Sequence, residues 1–383
     1  MTVFIREVAT KKDWNCFYQL PRQLYWNNPC WIPPLQVELE KQLNIQKNPF
    51  FLDAKINYWL AFINTTCVGR IAGIINLRHN GFYKDKTGFF GYFECIDNPS
   101  VAAALLDKVS QWLQSNDLNK LVGPVNLSTA DECGCLIEGF NRPPVIQMTY
   151  NLPYYASLLE LNGLSKEKDL LAFYLTDAIL KNEKLTNKLY RMCEWVKSKD
   201  RIQFREFNFS DFNQELVKIQ YLFNEFMYDN WGFVPLTETE ILFAAQTLKQ
   251  IVKPQLCFFA ELDGKPIGFS MSVPDINQVL AKLDGSLFPT GIFKYLYYKN
   301  SISQIRVMLM GIAKAYRRRG LEAVFYQQTM IAAHKLGIKS AELSWISEDN
   351  TILIKELTNM GACHYKTYRV YQKSLTLAGT VAK

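Results

Sequence analysis

Long apolar runs are missing from this sequence. No stretch approaches the roughly 18 apolar residues that a membrane-spanning helix requires. Tyr58-Trp59-Leu60-Ala61-Phe62-Ile63 is typical of the short ones. Histidine is scarce, at three residues (His79, His334 and His364), and none stands in H-E-x-x-H. G-x-S-x-G, G-x-x-x-x-G-K-[ST] and G-x-G-x-x-G are absent too. Zinc protease, serine hydrolase, P-loop and dinucleotide-binding readings therefore lose their usual support. The nine cysteines are scattered and odd in number. Cys133-Gly134-Cys135 is the one close pair, with too short a spacer for a zinc knuckle and no partner pair. Reduced thiols and no metal are expected. Charge is sparse, with 21% of residues charged and a net charge of +7. Nucleic-acid binding calls for a basic stripe, whereas the dense cluster here is Lys314, Arg317, Arg318 and Arg319. A compact cluster suits a phosphate-bearing small molecule better than a polyanion track. Arg6, Glu7, Lys11, Lys12 and Asp13 precede any long apolar stretch, so no signal peptide is expected. The expectation is a cytoplasmic protein with neither nucleic acid nor membrane as partner.

Core material, by contrast, is ample. Apolar types make up 49% of the 383 residues and aromatics 14%, which excludes a largely disordered chain. The length predicts two domains and part of a third. The chain also resembles itself. Trp59-Leu60-Ala61-Phe62-Ile63 leads to Cys67-Val68-Gly69, and Phe258-Phe259-Ala260-Glu261-Leu262 leads to Pro266-Ile267-Gly268. Ala61 and Gly69 each find their counterpart 199 positions later. Both segments read as strand, turn, strand, with Asp263-Gly264 a strong hairpin signal and Asn64-Thr65-Thr66 a weaker one.

Other pieces follow in matching order: a first strand (3–8, 202–207), an aromatic-rich helix, the hairpin, and a buried strand (89–93, 307–312). Then come a helix (101–113, 321–336), a strand (121–125, 341–345), and a helix ending at Gly163 or Gly361, each placed as a cap requires. Each half closes on an aromatic strand (170–175, 365–371). The order β-α-β-β-β-α-β-α-β, twice, is a mixed α/β plan. It predicts a first domain over 1–176, a linker helix within 177–200 and a second domain over 201–383. Two unrelated α/β domains sharing strand-turn-strand texture are the alternative.

The segments Val307-Met308-Leu309-Met310-Gly311-Ile312-Ala313 and Tyr316-Arg317-Arg318-Arg319-Gly320-Leu321-Glu322 resemble a known pattern. They are similar to the strand and [RQ]-x-x-G-x-[GA] turn of the GCN5-related N-acetyltransferase (GNAT) superfamily. Ser344 through Asn350 and Gly361-Ala362 resemble its next strand and Gly-ended helix. The first half matches in element order but lacks the basic turn. Gly88 to Glu94, Gly123-Pro124-Val125-Asn126, Gly139-Phe140, Pro143-Pro144 and Trp345 to Asn350 also resemble an uncharacterised bacterial family with a tandem arrangement, the YghO-like proteins. The resemblance implies two GNAT-like folds, the first degenerate. It implies an N-acyltransferase that uses acetyl-CoA or another acyl-CoA as donor and a small-molecule amine as acceptor. A non-catalytic tandem fold for ligand sensing or partner binding is the alternative.

The chemistry of the basic turn agrees. A helix beginning after Gly320 offers amides with no intrahelical partner and partial positive charge. A pyrophosphate docks on such a start, and Arg317, Arg318 and Arg319 add charge-assisted donors. The expected coenzyme A site comprises Met310, Gly311, Ile312, Arg317, Arg318, Arg319, Gly320, Leu321 and Asn350, although Asn350 equally suits a helix cap. A solvated basic helix cap is the alternative for the whole turn. Glu322 departs from the pattern, which has Gly or Ala there. It either stabilises the first helical turn or competes with pyrophosphate for the same amides. Glu348 and Asp349, just past a strand end, are candidate general bases working through water. The acid falls to the final-strand tyrosines Tyr365, Tyr368 and Tyr371, with Tyr368 the candidate chosen; aromatic packing is the alternative. The first half's matching turn carries Glu94, Asp97 and Pro99, which disfavours phosphate there. An apolar insertion over 277–300, including Leu287 and Phe288, either walls a substrate pocket or covers other parts of the fold.

Overall fold

The computed structural model describes residues 2–199, 201–283, 285–286 and 290–375. Leu287 and Phe288 of the insertion, and the second domain past residue 375, lie outside them. The chain forms two compact units. Unit 1 is Met1–Leu170 with Lys366–Lys383, and unit 2 is Leu171–Tyr365.

Unit 1 begins with β1 (Val3–Glu7) and α1 (Lys11–Leu24). Thr10 and Asp13 form a reciprocal capping box at the start of α1, which satisfies two otherwise orphaned amides. After α2 (Gln36–Gln42) come β2 (Ala54–Ile63) and β3 (Thr66–Asn76), joined through Asn64 at a φ of 53°. Ala61 pairs with Gly69 across this hairpin. Next are α3 (Leu77–Tyr83), β4 (Thr87–Cys95) and α4 (Pro99–Gln114). α4 starts on Pro99 with Asn98 as N-cap and buries Val101, Leu105, Leu106, Val109 and Leu113, the stripe that helical spacing predicts. β5 (Lys120–Gly123), β6 (Cys135–Glu138), α5 (Tyr155–Leu161) and β7 (Ser165–Thr176) follow. Gly163 ends α5 with a φ of 77°, as expected of a helix-stopping glycine.

Unit 2 takes in α6 (Glu183–Lys199), β8 (Ile202–Glu206), α7 (Phe212–Phe226) and α8 (Glu238–Leu248). β9 (Cys257–Leu262) and β10 (Lys265–Pro274) repeat the hairpin, and Ala260 pairs with Gly268. The 199-residue shift seen in the sequence is thus the same register realised twice. The insertion holds α9 (Asn277–Leu280) and α10 (Gly291–Tyr298). β11 (Gln304–Ile312), α11 (Leu321–Lys335), β12 (Ser340–Ser347), α12 (Thr351–Asn359) and β13 (Cys363–Ser374) complete the chain. The helix expected as a linker, α6, places Cys193 and Val196 in the unit 2 core with Leu321 and Val324.

The strand order in unit 1 is β1-β2-β3-β4-β5-β13, and in unit 2 it is β12-β11-β10-β9-β8, with β7 next to β12. The closing strands depart from the repeat. In unit 1, residues 371–374 of β13 pair with β5 and residues 367–369 pair with β6. Residues 171–176 of β7 belong to unit 2, where Phe173 packs on Leu343, Ile346 and Leu357. Each half was expected to finish on its own aromatic strand. Both strands bury consecutive residues in their middle, Ala172–Phe173 and Lys366–Tyr368, so alternation does not mark which sheet each joins.

Candidate active site

In unit 2, β12 pairs with β11 only from Gln304–Ser340 to Val307–Leu343. Past Val307, among the described residues, no strand pairs with this edge of β11. Such a parting between two parallel strands leaves alternate backbone groups of 308–312 without a strand partner on that side, where an extended chain can add as a further strand. Met310, Gly311 and Ile312 lie on this stretch. Gly311 is required by packing: a Cβ there would stand 2.3 Å from the Phe226 ring of α7.

The basic turn lies between β11 and α11. Gly320 is the α11 N-cap, with a φ of 78° and no side-chain cap bond. A Cβ on Gly320 would also meet Val196 of α6 at 3.3 Å, so the glycine serves both the turn and close packing. The three arginines differ. Arg317 is committed: its guanidinium donates to the carbonyls of Ile312 and Phe226, each at 3.1 Å, and ties the end of β11 to α7. Arg319 lies over the Tyr316 ring, 5.2 Å from its centroid. Arg318 is exposed, with a φ of 64°, and no partner is described for its side chain among the described residues. Lys314 pairs with Asp229 at 2.7 Å. Leu321 is fully buried and serves the core.

Glu322 is half-buried in the first turn of α11. Burial pushes its carboxyl above the usual range, and nearby Glu356 pushes the same way, against a hydrogen bond from its own backbone amide and the pull of Arg317. Its carboxyl therefore stands in the first helical turn, among the amides of the helix start.

Below the parting of β11 and β12 lies a polar network of which the sequence singled out only Tyr365. Glu342 is fully buried on β12. It accepts from Ser344 Oγ at 2.6 Å and from the Tyr365 hydroxyl. Arg306 of β11, 4% exposed, donates to Ser344 Oγ at 3.1 Å and stands over the Trp345 ring. Alternation along β12 puts Glu342 on the same face as Ser344; a carboxylate in the middle of that strand was the available signal.

The remaining candidates separate. Glu348 is half-buried and Asp349 exposed, both in the turn after β12, with the Asp349 amide donating to Ser347 Oγ at 3.4 Å. Asn350 caps α12 by accepting from the Leu353 amide at 3.2 Å. Tyr368 is fully buried in unit 1, not in the unit that holds the basic turn.

Unit 1 has the same parting, and there the protein fills it. β4 pairs with β5 only from Thr87 to Phe89. Beyond it, the Tyr92 amide donates to Asn126 Oδ1 at 2.7 Å, the Val125 amide donates to the Phe90 carbonyl at 2.8 Å, and the Cys95 amide donates to the Tyr155 hydroxyl at 3.1 Å. Gly91 permits this closure, since a Cβ would lie 2.1 Å from the Val125 oxygen. Glu94 occupies the register position that Gly311 holds in unit 2. It accepts from Tyr25 at 2.9 Å and Tyr155 at 2.6 Å, with Arg70 at 3.7 Å. Burial raises the Glu94 carboxyl, against Arg70 and the two hydroxyls. At α4, Asn98 covers the Ser100 and Val101 amides at 2.9 and 3.4 Å. Among the described residues no cluster of His, Cys, Asp and Glu is arranged to hold a metal ion.

Parted parallel strands with a helix following the first of them, an arrangement that occurs in both units, define a tandem GNAT fold. Solved structures agree. A tandem GNAT protein from the clavulanic acid biosynthesis pathway superposes with a TM-score of 0.57 at 10% identity, covering 98% of this chain and all of that one (100%). An N-acetyltransferase from Sphaerobacter thermophilus gives 0.52 at 11% identity over 97% of this chain and 96% of its own. No protein-family model matches the chain. Protein YghO of Escherichia coli (strain K12) is 34% identical over 97% of this chain and 95% of its own length. A bacterial ceramide synthase of Caulobacter vibrioides (strain NA1000 / CB15N) is 32% identical over 96% of each. The chain belongs to the family of YghO and this bacterial ceramide synthase.

Proposed function

We propose that the chain is an acyl-coenzyme A-dependent N-acyltransferase with its donor site in unit 2 and a long-chain amine as acceptor. The observation that carries the reading is the β11 edge left open past Val307, beside a helix start without a side-chain cap. The matching edge of unit 1 is filled by Asn126, Val125 and Tyr155, which favours unit 2 as the donor site. The acceptor class draws on the ceramide synthase relative. A ceramide is an N-acylated long-chain amino alcohol, so the small amine expected from the fold narrows to a lipid amine.

In this reading the thioester lies along residues 310–312, whose cleft-facing amides polarise its carbonyl. The amine nitrogen attacks the carbonyl carbon directly, so no cysteine or serine nucleophile is needed. A C–N bond forms, the C–S bond breaks, the nitrogen loses a proton and the thiolate gains one. Glu348 or Asp349 takes the first proton through water. Tyr365, paired with Glu342, supplies the second in place of Tyr368. Arg318 and the α11 amides hold the pyrophosphate.

The experiment combines the chain with acetyl- or palmitoyl-coenzyme A and either a small amine or a long-chain amino alcohol. Mass spectrometry reads the amide, and a thiol reagent reads released coenzyme A. Both products are expected with palmitoyl donor and long-chain acceptor. Glu322 favours a second reading, a non-catalytic scaffold. No amide with any pairing, and no thermal shift with any acyl-coenzyme A, would leave that reading in place.

A further inference from the structure

We propose that the outward face of α10 docks the protein onto an anionic lipid surface. The inference goes beyond acyl transfer and stands on different residues. At 3.6 residues per turn, Ile292, Phe293, Leu296 and Tyr297 fall within one sector of about 140°. They are 41%, 72%, 52% and 78% exposed, although a surface helix ordinarily buries its apolar sector.

The helix is nonetheless held in place. Tyr295 and Tyr298 on its other side are half-buried. Gly291 packs so closely that a Cβ would stand 2.1 Å from the Ser286 oxygen. Ser301 Oγ donates to the Tyr298 carbonyl at 2.8 Å, and the Ser303 amide donates to Gln278 Oε1 at 3.0 Å. Val279 and Leu283 of the same insertion are buried. The outward apolar sector is therefore presented by an anchored element.

Charge selects the occupant. Lys294 and Lys299, both exposed, border the sector. Residues 277–303 contain Lys282, Lys294 and Lys299 against Asp284 as the single acidic residue. Aromatic and aliphatic side chains flanked by lysines enter the headgroup boundary while the ammonium groups reach the anionic phosphates. A second copy is a poorer occupant, because a two-fold contact brings the same lysines face to face. The expectation that membranes are not partners rested on the lack of a spanning run. Among the described residues no helix is long and apolar enough to cross a bilayer, but an interfacial helix needs no such length.

The test is flotation of the full chain with phosphatidylcholine vesicles containing about one third phosphatidylglycerol, against pure phosphatidylcholine. Wild type should float with the anionic vesicles and be released as salt rises. Phe293→Asp with Tyr297→Asp should lower the bound fraction at least about tenfold, with an unchanged circular dichroism spectrum and melting temperature. Lys294→Glu with Lys299→Glu, which leaves the apolar sector intact, should also weaken binding to anionic vesicles. Wild type failing to float, or both variants floating like it, overturns the proposal. So does light scattering that finds a dimer broken by the aspartates while vesicles capture nothing. Turnover of the palmitoyl donor with the long-chain acceptor, presented in detergent micelles without vesicles, should be equal in wild type and variants. A wild type that binds no vesicles while turnover stays intact counts against docking alone, and turnover absent throughout counts against acyl transfer alone.

Discussion

At the scale of single residues, Glu322 is the test of the donor site proposed in unit 2. Two like charges about 4 Å apart repel by roughly 1 kcal/mol in water and 4 at an intermediate dielectric. Glu322→Gln should therefore raise acyl-coenzyme A affinity, by about tenfold for each ~1.4 kcal/mol removed. Because burial raises the Glu322 carboxyl, protonation removes the repulsion at a higher pH than for a free glutamate. Wild-type affinity should rise relative to the Gln variant's as pH falls through that range. Titration calorimetry at several pH values checks both; parallel profiles would count against a role for the carboxylate. Glu94 makes a separate claim on stability. Its carboxyl is raised from 4.5 in the folded chain, so the folded state binds the proton more tightly than the unfolded one. That contribution is complete below 4.5 and is lost as pH rises through the folded value. The stability of wild type relative to Glu94→Gln should accordingly fall between acid and neutral pH in urea unfolding.

At the scale of elements, the site depends on how β11 is held. Arg317 joins the last β11 carbonyl to the end of α7, while no partner is described for the Arg318 side chain among the described residues. Their alanine variants should differ in kind. Arg317→Ala should lower the melting temperature, at about 1 kcal/mol for the lost charge-assisted bonds, and lower turnover with it. Arg318→Ala should weaken acyl-coenzyme A binding at an unchanged melting temperature. Equal melting temperatures with equal binding losses would show both arginines to be plain phosphate ligands. The strand, the glycine turn and the helix start were all legible in the sequence, because each is written in adjacent residues. The division of labour among the arginines was not, since Phe226 lies far away in the chain and reaches Arg317 only through the packing of α7.

At the scale of the molecule, the closing strands bind the two halves of the sequence into both units. Unit 1 without residues 366–374 loses one of the two partners of β5 and the partner of β6, together with the buried Val370 and Tyr371. A fragment stopping at residue 200 should therefore show no cooperative thermal transition, whereas the full chain melts cooperatively. A sharp transition in the fragment near the full-chain temperature would mean that unit 1 does not need β13.

The sequence by itself determined what is local: the twice-used hairpin register of Ala61–Gly69 and Ala260–Gly268, the glycine caps, the basic turn and the amphipathic α4. Turn residues and alternation within a few positions are enough to specify these. Tertiary structure decided what joins distant residues. It closed the unit 1 cleft with Asn126 and brought Arg306, Glu342 and Tyr365 together. It also turned the α10 aromatics outward and assigned the closing strands. The physical reason is that a strand burying consecutive residues in its middle, or a buried carboxylate, carries no mark of its partner in its own neighbourhood. Only the packed sheet supplies one.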